Sequence, residues 1–282
     1  MSSGLRQRVA TGLLLAALVI VILLWLPPGV AVGAVMVVIA AGAWEWAGFA
    51  GLTSQWQRIA YAAAVMLCVA LAWLAATPVL VALLWCSAAW WLVATAWVVF
   101  APGTGGRWTA GIVGFVVLVP AALGLGKLAE FVPNGQLLLL FLLVLIAAAD
   151  VGAYFGGRTF GRHKLAPRVS PNKTWEGFWS GVLAATCAAV VGGRLLGQPL
   201  LPWVSVCVTV ALASVVGDLV ESMFKRRAGL KDSSSLLPGH GGVLDRLDSL
   251  SAAGPMFLLG LLLVGGRGAC ASQSWAARAA SA

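Results

Sequence analysis

Charge is what this chain has least of. Only 10% of its 282 residues are Asp, Glu, Lys or Arg, against about 25% in an ordinary soluble domain, while 61% are apolar. That balance excludes a soluble globular protein and points to an integral membrane protein. Acid is scarcest, with nine Asp and Glu against 18 Lys and Arg. Residues 1–135 hold two acids, Glu45 and Glu130, and residues 136–250 hold the other seven. The five cysteines (Cys68, Cys86, Cys187, Cys207, Cys270) are scattered, four of them within apolar runs, and none forms a CxxC pair. They read as small packing residues rather than disulfides, and the shortage of thiolates and histidines argues against zinc. There is no nucleophile elbow and no Ser/His/Asp arrangement. No internal repeat is visible, so the mark of inverted-repeat transporters is missing.

Apolar length is what the chain does have. A helix needs about 20 apolar residues to cross a bilayer, and about nine stretches qualify: 9–26, 29–48, 59–77, 79–100, 109–127, 136–155, 176–196, 202–222 and 250–266. Breaks between them carry turn chemistry such as Pro27-Pro28-Gly29, Thr77-Pro78 and Pro133-Asn134-Gly135. Spans three and four are joined by almost no loop, which leaves room for one longer, bent element. The first run follows Arg6 and Arg8 without a clean cleavage site and reads as a retained helix. The expected fold is therefore all-α and polytopic. Residues 1–135 form a membrane scaffold of about five spans. Residues 136–266 form a catalytic membrane half with polar loops 156–175 and 223–249. Residues 267–282, rich in Ala and Ser, read as a disordered tail.

The basic residues set an orientation. With the N-terminus in the cytoplasm, that side holds Arg6, Arg8, Arg58, Arg107, Arg158, Arg162, Lys164, Arg168, Lys173, Lys225, Arg226, Arg227, Lys231 and Arg246. The other side holds only Lys127, Arg194, Arg267 and Arg278. Fourteen against four satisfies the positive-inside rule and turns both polar loops to the cytoplasm.

Four clusters carry chemistry. Asp150 and Tyr154 lie at i and i+4 on one helical face, followed by Gly156, Gly157 and Arg158. An aspartate at that depth costs roughly 2.5–3.5 kcal/mol on insertion scales, so it either snorkels to the interface or faces a polar cavity. The second cluster is Ser170-Pro171-Asn172-Lys173-Thr174-Trp175-Glu176-Gly177. Here Ser-Pro-Asn reads as a turn, Asn172 or Thr174 can cap the next span, and Glu176 falls in its first turn. The plain reading is a basic loop with a helix cap; Lys173 beside a helix N-terminus also suits a phosphate. In the third, Asp218, Glu221 and Ser222 share a face. The fourth runs from Lys225 and Arg226 through Lys231 to His240-Gly241-Gly242 and then Asp245, Arg246 and Asp248. His240 sits between glycines, where the backbone can approach a ligand closely.

Cations, carboxylates and glycines at one membrane surface fit phosphoryl or nucleotidyl transfer, which depends on positioning and charge neutralisation. Mg²⁺ is commonly held by one or two carboxylates, with water and substrate phosphates completing its octahedron. Asp218 and Asp245 end and begin neighbouring spans and can converge on such an ion. Lys173, Lys225, Arg226, Lys231 and Arg246 supply charge for several phosphates.

The run Ser222-x-Phe224-Lys225-Arg226-x4-Lys231-Asp232-x-Ser234-x2-Leu237-Pro238-x-His240-Gly241-Gly242-Val243-x-Asp245-Arg246-Leu247-Asp248 resembles, position for position, the signature of the phosphatidate cytidylyltransferases, or CDP-diacylglycerol synthases. Asp150-x3-Tyr154-x2-Gly157-Arg158, Ser170-Pro171-x-Lys173-Thr174-x-Glu176-Gly177 and Asp218-Leu219-x-Glu221-Ser222 are similar to that family too. The resemblance is strong over 145–255 and only hydropathic over 1–135, where Trp44-Glu45-Trp46 is a faint family-like touch. It implies CMP transfer from CTP to phosphatidate, giving CDP-diacylglycerol, the activated precursor for phospholipid synthesis, and pyrophosphate. It also implies Mg²⁺ with K⁺ as a companion, a homodimer, a cell-membrane location with the site facing the cytoplasm, and no nucleic acid partner. By position, Asp218 and Asp245 would be metal ligands, with Lys173 and Arg246 catalytic. Arg158, Ser222, Lys225, Arg226, Lys231, His240, Gly241 and Gly242 would bind substrate, and Asp150, Tyr154, Glu176, Glu221 and Asp248 would support them. Rival readings are CMP transfer to another lipid phosphate and a lipid-phosphate transporter; the latter would need charge along a path through both leaflets, and here charge stops at one side.

Overall fold

A computed structural model of the chain describes residues 3–234, 236 and 241–265. Its helices are α1 (Ser3–Trp25), α2 (Pro28–Phe49), α3 (Gln55–Trp73), α4 (Thr77–Phe100), α5 (Arg107–Phe131), α6 (Gly135–Phe160), α7 (Trp175–Leu195), α8 (Leu200–Arg227) and α9 (Leu244–Gly265). The strands β1 (Lys164–Ala166) and β2 (Ser170–Thr174) form an antiparallel hairpin between α6 and α7. Eight of the helices, α2 to α9, are long and apolar enough to cross a bilayer; the apolar part of α1, Thr11–Trp25, is shorter. The fold is that of an all-α polytopic membrane protein. Prolines open elements where the missing N–H costs nothing: Pro28 at the start of α2 and Pro78 at the start of α4.

Spans three and four are two separate helices, α3 and α4, divided at 74–76. Several helices run further than hydropathy suggests. α6 continues to Phe160, α8 to Arg227, and α9 begins at Leu244 rather than at 250. Their last or first turns are polar, so they leave the apolar window without leaving the helix. Ser170-Pro171-Asn172 is strand rather than turn, and the reversal falls at 167–169. Proline is tolerated there because a two-stranded hairpin has a free edge on each strand.

Tight crossings fix the frame. α6 and α7 meet through small residues: a side chain at Gly156 would strike Ser180, and one at Gly181 would strike Ala149 and Ala153. Small residues let membrane helices approach closely where the hydrophobic effect gives no drive. Likewise Gly217 of α8 lies against the Asp248 carbonyl of α9. Beneath one end of the bundle an aromatic knot joins four helices. Trp46 (α2) packs on Phe224 (α8) at 5.4 Å, Trp97 (α4) packs on Phe224 at 5.8 Å, and the Trp46 indole donates to the Ala110 carbonyl of α5 at 2.8 Å.

Candidate active site

Over that knot converge the C-terminal ends of α2, α6 and α8, the N-terminal ends of α7 and α9, and the hairpin. The start of α7 is set locally. Thr174 caps it, its hydroxyl accepting from the Gly177 N–H at 3.2 Å. Glu176 accepts from the backbone N–H groups of Arg162 and His163 and contacts His163 Nδ1 at 2.7 Å, which ties the end of α6 to the start of α7. Lys173, the penultimate residue of β2, is thereby held at the helix start.

Lys173 reaches across to α8, where its Nζ lies 2.5 Å from Asp218 Oδ2. Ser222, one turn on, donates to Asp218 Oδ1 at 3.2 Å. Lys173 also lines a cavity of about 500 Å³ with Asp150, Tyr154, Arg158 and Asn172, so the i, i+4, i+8 positions of α6 share a mixed polar and apolar wall with it. The Tyr154 hydroxyl accepts from Arg158 at 2.8 Å. Leu165, Phe178 and Val215 form a wall shared with a second cavity of about 650 Å³, which is mostly apolar, with Arg168, Thr95 and Thr209 as its polar side chains.

Asp245, in the first turn of α9, is engaged elsewhere. Lys225 donates to its Oδ1 at 2.8 Å, Gly242 N–H to Oδ2 at 2.8 Å, and Ser233 approaches with both its N–H and its hydroxyl at 3.1 Å. Lys225 also lies 3.1 Å from Glu221 Oε1. Gly241 has φ of 79°, a backbone state that favours glycine, and a side chain at Gly242 would run into Ser233 and Glu45. Asp218 and Asp245 thus have separate lysines and share no hydrogen-bond partner among the described residues. Asp218 is instead an electrostatic neighbour of Asp150 and Asp248. Asp248 itself accepts from Ser249 N–H at 2.6 Å. Arg246 is exposed on the first turn of α9, and Arg158, Arg226 and Lys231 are exposed around the site. His240 lies outside the described residues, as does the 267–282 tail.

Sequence reasoning missed Glu45 as a site residue. It is 1% exposed, and its carboxylate accepts from the hydroxyls of Ser233 and Ser234 and from the N–H groups of Val243 and Leu244. The signal was present: a carboxylate near the end of an apolar span, which singled out Asp150, applies equally to Glu45.

Among the described residues no three His, Cys, Asp or Glu side chains form a metal cage. Magnesium needs none when phosphates and water complete its shell. The donor set fits a hard cation. Glu45, Asp150, Asp218, Glu221, Asp245 and Asp248 bring hard oxygen donors to one end of the bundle, among Lys173, Lys225, Arg246 and the exposed Arg158, Arg226 and Lys231. Glu221 Oε2 is buried with no hydrogen-bond partner.

The chain matches the cytidylyltransferase family over residues 6–264. It belongs to that family. Among similar proteins, a phosphatidate cytidylyltransferase of Pseudomonas aeruginosa is 44% identical over 238 residues, 82% of this chain and 87% of that protein. One from Haemophilus influenzae is 51% identical over 130 residues, 44% of this chain and 45% of that protein. One from Staphylococcus epidermidis is 41% identical over 154 residues, 53% and 58% respectively. The family match takes in the aromatic knot and Glu45 as well as the carboxylate–lysine pairs, so both halves of the chain fall within the cytidylyltransferase unit.

Proposed function

We propose that this cytidylyltransferase moves CMP from CTP to phosphatidate, giving CDP-diacylglycerol and pyrophosphate. The observation that carries this, beside the family, is a cavity with Lys173, Arg158 and Asp150 in its wall, sharing Leu165, Phe178 and Val215 with a larger, more apolar one. A phosphate headgroup and acyl chains need such neighbours. The apolar cavity shares Ala88, Thr209 and Met256 with a third, of about 730 Å³, so an apolar groove continues along α8 between α4 and α9. We assign the acyl chains to this groove.

The nucleophile is a phosphatidate oxygen. A phosphomonoester's second pKa is about 6, so it is largely dianionic at neutral pH and needs no strong base. The oxygen attacks the α-phosphorus of CTP, the bond from that phosphorus to the bridging oxygen breaks, and pyrophosphate leaves with the electron pair. Two anions must be brought together, and Lys173 and Arg158 lower that repulsion from the cavity wall. Lys173 exchanges Asp218 for a phosphate as substrate arrives. Arg246, Lys231 and Arg226 draw the triphosphate from solution. Asp218 and Asp245 are the carboxylates we assign to Mg²⁺, with Ser222 beside the first; when bound, the ion neutralises phosphate charge. K⁺ as companion cation, a homodimer and a site on the cytoplasmic face of the cell membrane complete the reading; the positive-inside count supports the last.

The test is product formation by purified protein in mixed micelles with labelled CTP and Mg²⁺, across phosphatidate, an isoprenoid phosphate and no lipid. CDP-lipid with phosphatidate alone supports the reading. Preference for the isoprenoid phosphate moves the substrate, and transport without product rejects transfer.

A further inference from the structure

Helix α9 begins after Gly241-Gly242-Val243, a run with no Ser, Thr, Asn or Asp to cap it. The first N–H groups of a helix have no partner within it and need an acceptor from elsewhere. Here the acceptor comes from α2, almost two hundred residues away in sequence. Glu45 takes Leu244 N–H at 2.7 Å on Oε2 and Val243 N–H at 3.0 Å on Oε1. The same oxygens take Ser233 Oγ at 2.8 Å and Ser234 Oγ at 2.6 Å. A carboxylate at a helix N-terminus is also favoured by the dipole. Ser233 is the link onward: its hydroxyl lies 2.8 Å from Glu45 Oε2 and 3.1 Å from Asp245 Oδ2, and with one proton it donates to one of them at a time.

We propose that Glu45 is a positioning residue for the transfer reaction: it fixes the Ser233–Ser234 segment and the first turn of α9, and through Ser233 it sets the carboxylate of Asp245. The proposal rests on the functional reading above. It makes the N-terminal half a working part of the site, since the only buried acid of the first 135 residues among those described is spent on this contact. Both oxygens are needed. In Glu45→Gln, whichever way the amide turns, its NH₂ meets a backbone N–H already pointing at it.

The experiment compares the full-length wild type with Glu45→Gln and with Ser233→Ala/Ser234→Ala. Each is assayed for melting temperature, kcat, KM for CTP and for phosphatidate, and the rate of limited proteolysis after Lys231. Expected for Glu45→Gln is a kcat lower by about tenfold or more with KM values within about twofold, and faster cleavage after Lys231. The double serine variant keeps the helix cap and loses only the segment contacts, so it should show a smaller fall in kcat and the same faster cleavage. A lower melting temperature with wild-type kcat per folded molecule in Glu45→Gln would reduce Glu45 to a stabilising cap and overturn the proposal. Should Glu45→Gln fail to fold, wild-type kcat in the serine variant overturns it. If the wild type itself makes no CDP-lipid, the functional reading fails, and the cleavage rates still judge the tether: unchanged rates reject it.

Discussion

Two lysine–aspartate pairs stand at the same end of the bundle, and their surroundings differ. Lys173–Asp218 keeps side-chain exposures of 29% and 26% and has one further hydrogen bond from Ser222, and its lysine lines the cavity shared with Asp150 and Arg158. Lys225–Asp245 is 11% and 8% exposed and is enclosed by Ser233, Gly242 and Glu221. The same chemical pair is open to solvent in one place and enclosed in the other. A phosphate can compete for Lys173 at modest cost, whereas taking Lys225 from Asp245 would strand buried charge.

That contrast can be broken by substitution. The largest effect on turnover should come from Asp218→Asn, with CDP-lipid formation down by about a hundredfold or more and the melting temperature near wild type. Asp245→Asn should also lose turnover, but it should unfold earlier as well. Breaking one side of a buried pair costs about 3–5 kcal/mol, or a fall of roughly 6 °C or more at this chain length. Equal thermal stability of the two variants would erase the distinction between the pairs. Next in size is Lys173→Ala, expected to cut kcat by about tenfold in a folded protein. Ala88→Trp, at the junction of the two apolar cavities, should raise KM for long-chain phosphatidate by several-fold, about 1 kcal/mol, and leave a short-chain analogue unaffected. The smallest effect is Thr174→Ala, which removes the α7 cap and should cost about 1 kcal/mol of stability.

Much of this was legible beforehand. Apolar length marked about nine spans, of which eight are helices long and apolar enough to cross a bilayer, and the crowding of Asp150, Lys173, Asp218 and Asp245 at one end follows from each lying beside a break between spans. The exact joints were not legible. Polar first and last turns hid the start of α9 and the end of α8, because hydropathy reports the solvent and not the backbone. The pairing of Asp218 with Lys173 and Asp245 with Lys225 depends on helix rotation, which a convergence argument from sequence position does not supply. Glu45 was hidden for a related reason. A missing cap at α9 shows that an acceptor is needed, but only the packing of α2 against α9 shows which one.

The central claim is that phosphatidate attacks the α-phosphorus of CTP at the cavity beside Lys173 and Asp218. The direct measurement supplies the purified protein with phosphatidate, Mg²⁺ and CTP labelled at either the α- or the γ-phosphate, then follows the label into lipid and into pyrophosphate. The account predicts α-label in the lipid and γ-label in pyrophosphate, in equal amounts, with both lost in Asp218→Asn. γ-Label in the lipid, or undiminished α-label transfer by Asp218→Asn, would contradict it.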